Sequence, residues 1–136
     1  MEEEVNLEEE QLMSPSVLKI VLLKHRDQYL IGKVTELDEE PAILVEGCYE
    51  IVDCAEYGDD LQELESKAHI LEGTHLKVDA RKVDKGEKDW YVYEYAILRP
   101  YPKYSAQRDL FLTSEAIFTI LDPEPGVLDL YRKVAG

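Results

Sequence analysis

The chain lacks any apolar run near the roughly 20 residues that a helix needs to cross a bilayer. Its first residues, Met1-Glu2-Glu3-Glu4, carry acids where a secretory signal carries bases. Its only two cysteines, Cys48 and Cys54, are spaced neither as a CxxC redox pair nor as a zinc knuckle. We therefore expect free thiols, no membrane partner and a cytoplasmic location.

The side-chain sets of common catalysts and metal sites are also missing. The sequence has no glycine-rich phosphate loop, no Ser-His-Asp set and no paired acids in an apolar setting. No histidine or carboxylate is spaced to activate Cys48, and neither His69 nor His75 has a partner at ligand spacing. Asp38-Glu39-Glu40 lacks the spacing of a calcium loop and is typical of a solvated turn. These absences predict that the protein is not an enzyme and has no cofactor and no metal site.

Basic residues are scarce, and the formal net charge of the 136-residue chain is -15. Residues 1–12 hold six acids and no base, and residues 36–65 hold twelve acids and no base. The remaining two segments are slightly basic (13–35) or neutral (66–136). Binding to phosphates over the whole surface is excluded, because it needs lysine and arginine to displace counterions.

What is present is a series of apolar and alternating segments that predict a mainly β chain. Gly32 lies inside one of these segments, where glycine often marks a bend or bulge. Asp60 followed by Glu63 resembles a capping box and predicts a short amphipathic helix over 60–71, with Gly73 as its stop. Short strands around glycine bends favour a small, highly curved barrel or sandwich. The predicted strands are 17–23, 29–37, 42–52, 76–83, 90–98, 110–112 and 116–121, with a closing helical turn at 127–131.

The order of these signals resembles the Sm-like (LSm) fold, most closely small Sm-like proteins of tailed phages and cyanophages. The glycine-containing strand Tyr29-Leu30-Ile31-Gly32-Lys33-Val34 is one carrier of the resemblance. The other is the closing stretch at 110–131, in which Ile117-Phe118-Thr119-Ile120 is followed by Asp122-Pro123 and a short helix ending at Tyr131. The resemblance covers residues 17–52 and roughly 95–135.

What the resemblance implies is a strongly bent five-stranded Sm-like barrel over 15–136, with an inserted helix and β-hairpin at about 53–94 and a short C-terminal helix. Residues 1–14 would be an acidic tail or short helix. Such proteins form rings in which the fourth strand of one subunit pairs with the fifth strand of the next. We therefore expect a non-enzymatic ring that serves as a scaffold or interaction module, and Ile117→Asp to disrupt it. The expected subunit interface is Leu110, Phe111, Leu112, Ile117, Phe118, Thr119 and Ile120.

The usual RNA site of that family does not carry over to this chain. The family's first motif places Asp and Asn between the second and third strands, where this chain has Asp38-Glu39-Glu40-Pro41. Its second motif carries Arg-Gly or Lys-His before the last strand, where this chain has Ser114-Glu115. Neither a cation nor an imidazole is available there, so RNA binding at the standard site is not expected.

Two alternatives remain open. One is RNA or single-stranded DNA binding through a non-standard face that combines aromatic residues with the one basic cluster, which lies on the predicted hairpin. The other is a nucleic-acid mimic that binds a basic host protein through residues 36–65, in the host cytoplasm if the protein is viral. Against stacking, the tyrosines near Trp90 are more typical of a core or subunit interface. The basic cluster is Lys77, Arg81, Lys82, Lys85 and Lys88, and it is balanced by Asp79, Asp84, Glu87 and Asp89, which favours a solvated hairpin.

Overall fold

The structure is a computed structural model that describes residues 17–69, 75–84, 86 and 89–136. Seven antiparallel strands form one sheet in the order β4-β5-β3-β2-β1-β7, with β6 paired to β3, and the described strands do not close it. The elements are β1 (Val17–Leu23), β2 (Tyr29–Glu36), β3 (Ile43–Gly58), α1 (Leu61–His69), β4 (His75–Val83), β5 (Trp90–Pro100), β6 (Leu110–Leu112), a 3-10 turn (Ser114–Ala116), β7 (Ile117–Leu121) and α2 (Pro125–Ala135).

The mainly β prediction is confirmed, and the largest difference in bounds is at β3. This strand runs through Gly58, beyond the predicted end at residue 52. Its last residues alternate between exposed and half-buried positions, as expected for a strand. The acids in this segment make the strand pattern hard to recognise in the sequence. The predicted tail at 1–14, the end of the predicted helix at 70–71 and its glycine stop lie outside the described residues.

Contacts along the chain divide it into two compact units. The first, unit 1, lies within Met1–Glu50 and Pro100–Pro123, and the second, unit 2, within Ile51–Arg99 and Glu124–Gly136. Strand β3 gives its first half to unit 1 and its second half to unit 2. The segment predicted as an insertion, about 53–94, falls inside unit 2.

Within unit 1 the strands follow the path β6-β3-β2-β1-β7, so β6 and β7 are its two ends. In a flat sheet these ends would lie about 19 Å apart, because neighbouring strands are spaced by about 4.8 Å. The link from Leu112 to Ile117 contains a 3-10 turn and spans only about 14 Å when otherwise extended. The sheet of unit 1 is therefore strongly curled.

The core of unit 1 fills the inside of this curl. Gly32 is essential to it, because a Cβ there would lie 2.7 Å from the Val45 Cγ1 atom and 2.8 Å from the Glu46 carbonyl oxygen. Strands β2 and β3 can approach this closely only without a side chain at that position. The buried residues of the core are Val21, Leu23, Leu30, Val34, Ile43, Val45 and Cys48, and every strand of the path contributes to the cluster or packs against it.

Unit 2 contains the hairpin of β4 and β5, the second half of β3 and both helices. The hairpin pairs from His75↔Ile97 to Val83↔Trp90. The predicted N-cap of α1 is confirmed, since the Asp60 carboxylate accepts hydrogen bonds from the Gln62 and Glu63 amides at 3.0 and 3.4 Å. The core of this unit is Leu64, Tyr93 and Tyr95, with Cys54, Leu61, Ala80, Tyr91 and Ile97 packed against it.

Candidate functional site

The segment predicted as a subunit interface lies on β6 and β7, the two ends of the unit 1 path, and its side chains divide into two sets. Phe111 on β6 and Phe118 on β7 are exposed over 62% and 67% of their surface. Leu121, at the end of β7, is also exposed. The inward set consists of Leu110, Leu112, Ile117 and Ile120, which pack against the core of unit 1, while Thr119 is half-buried.

The open ends of the described sheet differ in their protection against pairing with another chain. Strand β4 carries four charged side chains and a bulge between Lys77 and Asp79, and α2 lies against it. Charges, bulges and covering helices are the usual means by which proteins block an open strand edge. The segments Leu110–Leu112 and Ile117–Leu121 carry no charge and present Phe111 and Phe118 to solvent. The ends of unit 1 are therefore the unprotected edges.

The two loops where the Sm-like resemblance would place RNA ligands come together in unit 1. The Ser114 amide, at the start of the 3-10 turn, donates to both carboxylate oxygens of Glu40 at 3.2 and 3.1 Å. The β2–β3 turn is exposed, as predicted, and is closed by the Leu37 amide donating to the Ala42 carbonyl at 2.8 Å. The Glu40 carboxylate thus accepts hydrogen bonds from the backbone of its own chain at this place. The anionic sugar-phosphate backbone of an RNA would be repelled by the same carboxylate.

The basic cluster, which one of the two alternatives treats as a nucleic-acid contact, lies on the β4–β5 hairpin, and its described members are all ion-paired. Arg81 donates to the carboxylates of Asp79 and Glu94, and these hydrogen bonds raise the pKa of Arg81. The other pairs are Lys77 with Glu65 at 3.8 Å and Lys82 with Asp89 at 2.8 Å. Lys85 and Lys88 lie outside the described residues. The described cations therefore have local counter-charges instead of an open positive surface.

The tyrosines on the strand that begins at Trp90 mostly lie in the core, as their sequence pattern indicates. Tyr93 and Tyr95 are buried, and the Tyr95 hydroxyl donates to the Glu56 carboxylate at 3.2 Å. The pKa of Tyr95 is raised to about 12, mainly by burial and then by the charges of Cys54 and Glu56. His75, expected at the surface, is half-buried. It is the first residue of β4, and its ring lies 5.6 Å from the ring of Tyr95 on the neighbouring strand β5.

Both cysteines are free thiols in different surroundings. Cys48 is fully buried in the core of unit 1, as predicted. Burial raises the pKa of its thiol from 9.0 to about 12, with the Arg108 charge opposing this shift and the Glu50 charge adding to it. Cys54 is only partly buried and lies beside an open cavity in unit 2. The buried thiol is thus an inert core residue at neutral pH.

Two surface features, a cavity and an exposed tyrosine, were not predicted from the sequence. The first is the cavity beside Cys54, built by the part of β3 beyond residue 52; the alternation of exposed residues from Asp53 to Tyr57 is the signal for it. The second is Tyr104, which is fully exposed with a φ of 63°. Its loop is held by the Gly47 and Cys48 amides, which donate to Asp109 Oδ1 and to the Arg108 carbonyl. The sequence places this tyrosine among several that could stack on bases, but nothing in the sequence indicates its full exposure.

Within 17–69, 75–84, 86 and 89–136, no group of three or more histidine, cysteine or acidic side chains is arranged to hold a metal ion. Over the same residues no helix is long and apolar enough to cross a membrane. Comparison with protein-family models, with curated protein sequences and with solved structures finds no match to this chain.

Proposed function

We propose that this protein is a non-enzymatic, Sm-like subunit that assembles with copies of itself into a ring, which serves as a scaffold or interaction module. The observation that carries the proposal is the pair of uncharged edge strands in unit 1. Phe111 is exposed on β6 and Phe118 on β7, at opposite ends of the path β6-β3-β2-β1-β7. An open edge with exposed aromatic residues is a template for another strand.

In the proposed assembly the two edges build a ring and not a two-fold dimer. Strand β6 of one copy would pair with β7 of the next, so each copy uses two different surfaces. Contacts of this head-to-tail kind generate closed rings when the rotation between copies closes. A five-stranded path with a 3-10 link between its end strands also agrees with the bent barrel that the Sm-like resemblance implies.

An RNA-binding role receives less support from the described residues. The turn at 38–41 is acidic, and Glu40 caps Ser114 within its own chain. The hairpin lysines and arginine form ion pairs, so binding an oligonucleotide there would cost those pairs before any phosphate is neutralised. A scaffold therefore fits the surface better than an RNA chaperone.

The proposal is tested by placing a charge on one edge. Because Phe118 is exposed, Phe118→Asp leaves the core of unit 1 intact while burying a carboxylate in the assembled edge. We expect the particle mass in light scattering to fall to that of a single chain, with an unchanged circular dichroism spectrum. Ile117→Asp is a poorer test, because Ile117 packs against the core and its loss would also destabilise the subunit.

Tyr104→Asp is the matched control. It adds the same charge in place of an exposed aromatic residue in unit 1, but on a loop instead of an edge strand. We expect this variant to keep the mass of the unmodified particle. If both variants lower the mass equally, or if neither does, the β6 and β7 edges are not the interface.

A further inference from the structure

A cavity of about 380 Å³ opens on the sheet of unit 2. Strand β3 supplies Asp53, Ala55 and Tyr57, which alternate along the strand and so project from the same face. The cavity volume is at the lower end of the range for ligand sites, about 300–1,000 Å³. It has room for one long side chain of a partner and not for a folded segment.

The other walls come from the hairpin, and one of them is shaped by a bulge. In the register, Lys77 faces Tyr95 and Asp79 faces Glu94, which leaves Val78 as an extra residue. Bulges re-aim side chains, and Val78 is exposed over 60% of its surface while lining the cavity. Together with Tyr57, which is 58% exposed, it gives the cavity two apolar walls open to solvent.

The charge of the lining has one sign. Asp53 and Glu94 are acidic, and no basic side chain is among the described lining residues. The Glu94 carboxylate is held by Arg81, whereas Asp53 forms no hydrogen bond or ion pair with any described residue. A guest thus meets one fixed carboxylate, one free carboxylate, an aromatic ring and an aliphatic side chain.

We propose that this cavity binds an arginine side chain of a basic protein partner. The guanidinium group pairs with Asp53 and stacks on the Tyr57 ring, and its aliphatic stem covers Val78. A planar cation on a long apolar stem is the side chain that uses all of these walls, since guanidinium groups both pair with carboxylates and stack on aromatic faces. An anionic or purely apolar guest would leave the Asp53 charge uncompensated.

The surrounding charge supports a partner that is itself basic. The cavity's four β3 residues belong to the segment 36–65, which has twelve acids and no base. Such a segment attracts a positively charged protein over a distance of about a Debye length, and the cavity then selects one side chain at contact. The inference does not depend on ring assembly, because every residue of the cavity lies in unit 2.

The test measures binding of a fluorescein-labelled Gly-Arg-Gly-Arg-Gly-Arg peptide by fluorescence polarisation at physiological salt. Asp53→Asn removes the free carboxylate and Tyr57→Ala removes the stacking face, and both residues are exposed, so the fold is kept. We expect each change to weaken binding by about three- to fivefold. The matched control is Asp59→Asn, which removes an exposed acid of the same segment outside the cavity lining and should change affinity by less than about twofold.

The inference is overturned if Asp53→Asn and Asp59→Asn weaken binding equally, because only the general negative charge would then be acting. It is also overturned if the unmodified protein fails to bind the peptide, or if the lysine version of the peptide binds as tightly as the arginine version. A fall in particle mass on Asp53→Asn would contradict it as well, since the occupant would then be a second copy of this chain.

Discussion

At the scale of single residues, burial decides what each chemically active side chain does. Cys48, Tyr93 and Tyr95 are buried, and Cys48 and Tyr95 both have a pKa raised to about 12 by that burial. The exposed aromatic residues are instead Tyr29, Tyr57, Tyr104, Phe111 and Phe118. The buried Cys48, Tyr93 and Tyr95 side chains are thus unavailable for reaction or binding at the surface, whereas the exposed aromatic side chains can contact a partner.

The Cys48 thiol makes unfolding sensitive to alkaline pH. The folded chain keeps this proton up to about pH 12, whereas the unfolded chain releases it near 9.0, so the folded state binds more protons between these values. We expect the free energy of unfolding to fall as pH rises from about 9 to about 12. Chemical denaturation at several pH values measures this fall.

Cys48→Ala provides the comparison for that experiment. The variant loses stability at pH 7, because it leaves a small cavity among the core residues of unit 1. Its free energy of unfolding should nevertheless decline less steeply above pH 9 than that of the unmodified chain. Equal slopes in the two proteins would show that Cys48 is not the group responsible.

At the scale of strands and helices, local patterns predict most elements, and the misses have physical causes. The strand at 17–23 and the short strand at 110–112 are confirmed with unchanged bounds, because residues that are almost all apolar mark them. The end of β3 is missed, because its outward positions hold Asp53 and Tyr57, which raise polarity without breaking the alternation. The cavity depends on that part of β3, so missing the end of the strand also meant missing the cavity.

Long-range features are the second kind of miss. Sequence spacing cannot show that Glu40 caps Ser114, because the two residues are far apart in the chain and the contact depends on the curl of unit 1. The ion pair of Lys77 with Glu65 joins β4 to α1, and it is likewise invisible in the sequence because it depends on how these two elements pack. The counter-charges that are near the cluster in the sequence, Asp79 and Asp89, could therefore be predicted, whereas Glu65 and Glu94 could not.

The start of α1 provides a prediction at this scale. Asp60→Ala removes the carboxylate that accepts from the Gln62 and Glu63 amides, so two amides of the first turn lose their acceptor. We expect the free energy of unfolding to fall by about 1 kcal/mol, measured by chemical denaturation. Asp60→Asn should restore most of this loss, since an amide oxygen also caps a helix; equal losses for both variants would contradict the capping role.

At the scale of the whole molecule, the net charge of -15 is distributed unevenly. This distribution fits the two proposed roles, self-assembly through unit 1 and binding of a basic partner by unit 2. The edge strands of unit 1 are uncharged and present phenylalanines, which suits contact between identical copies. The cavity of unit 2 is acidic, which suits a basic partner. Strands that carry charge would repel one another in a ring of like subunits, whereas uncharged edges avoid that cost.

The mass of the particle in solution tests the central claim most directly. Size-exclusion chromatography with light scattering, run at micromolar concentration and physiological salt, compares the particle with the 15.7 kDa chain. The account predicts one species whose mass is a whole-number multiple of the chain mass and larger than a dimer, as expected for a ring built from head-to-tail edges. A stable monomer under these conditions would contradict it.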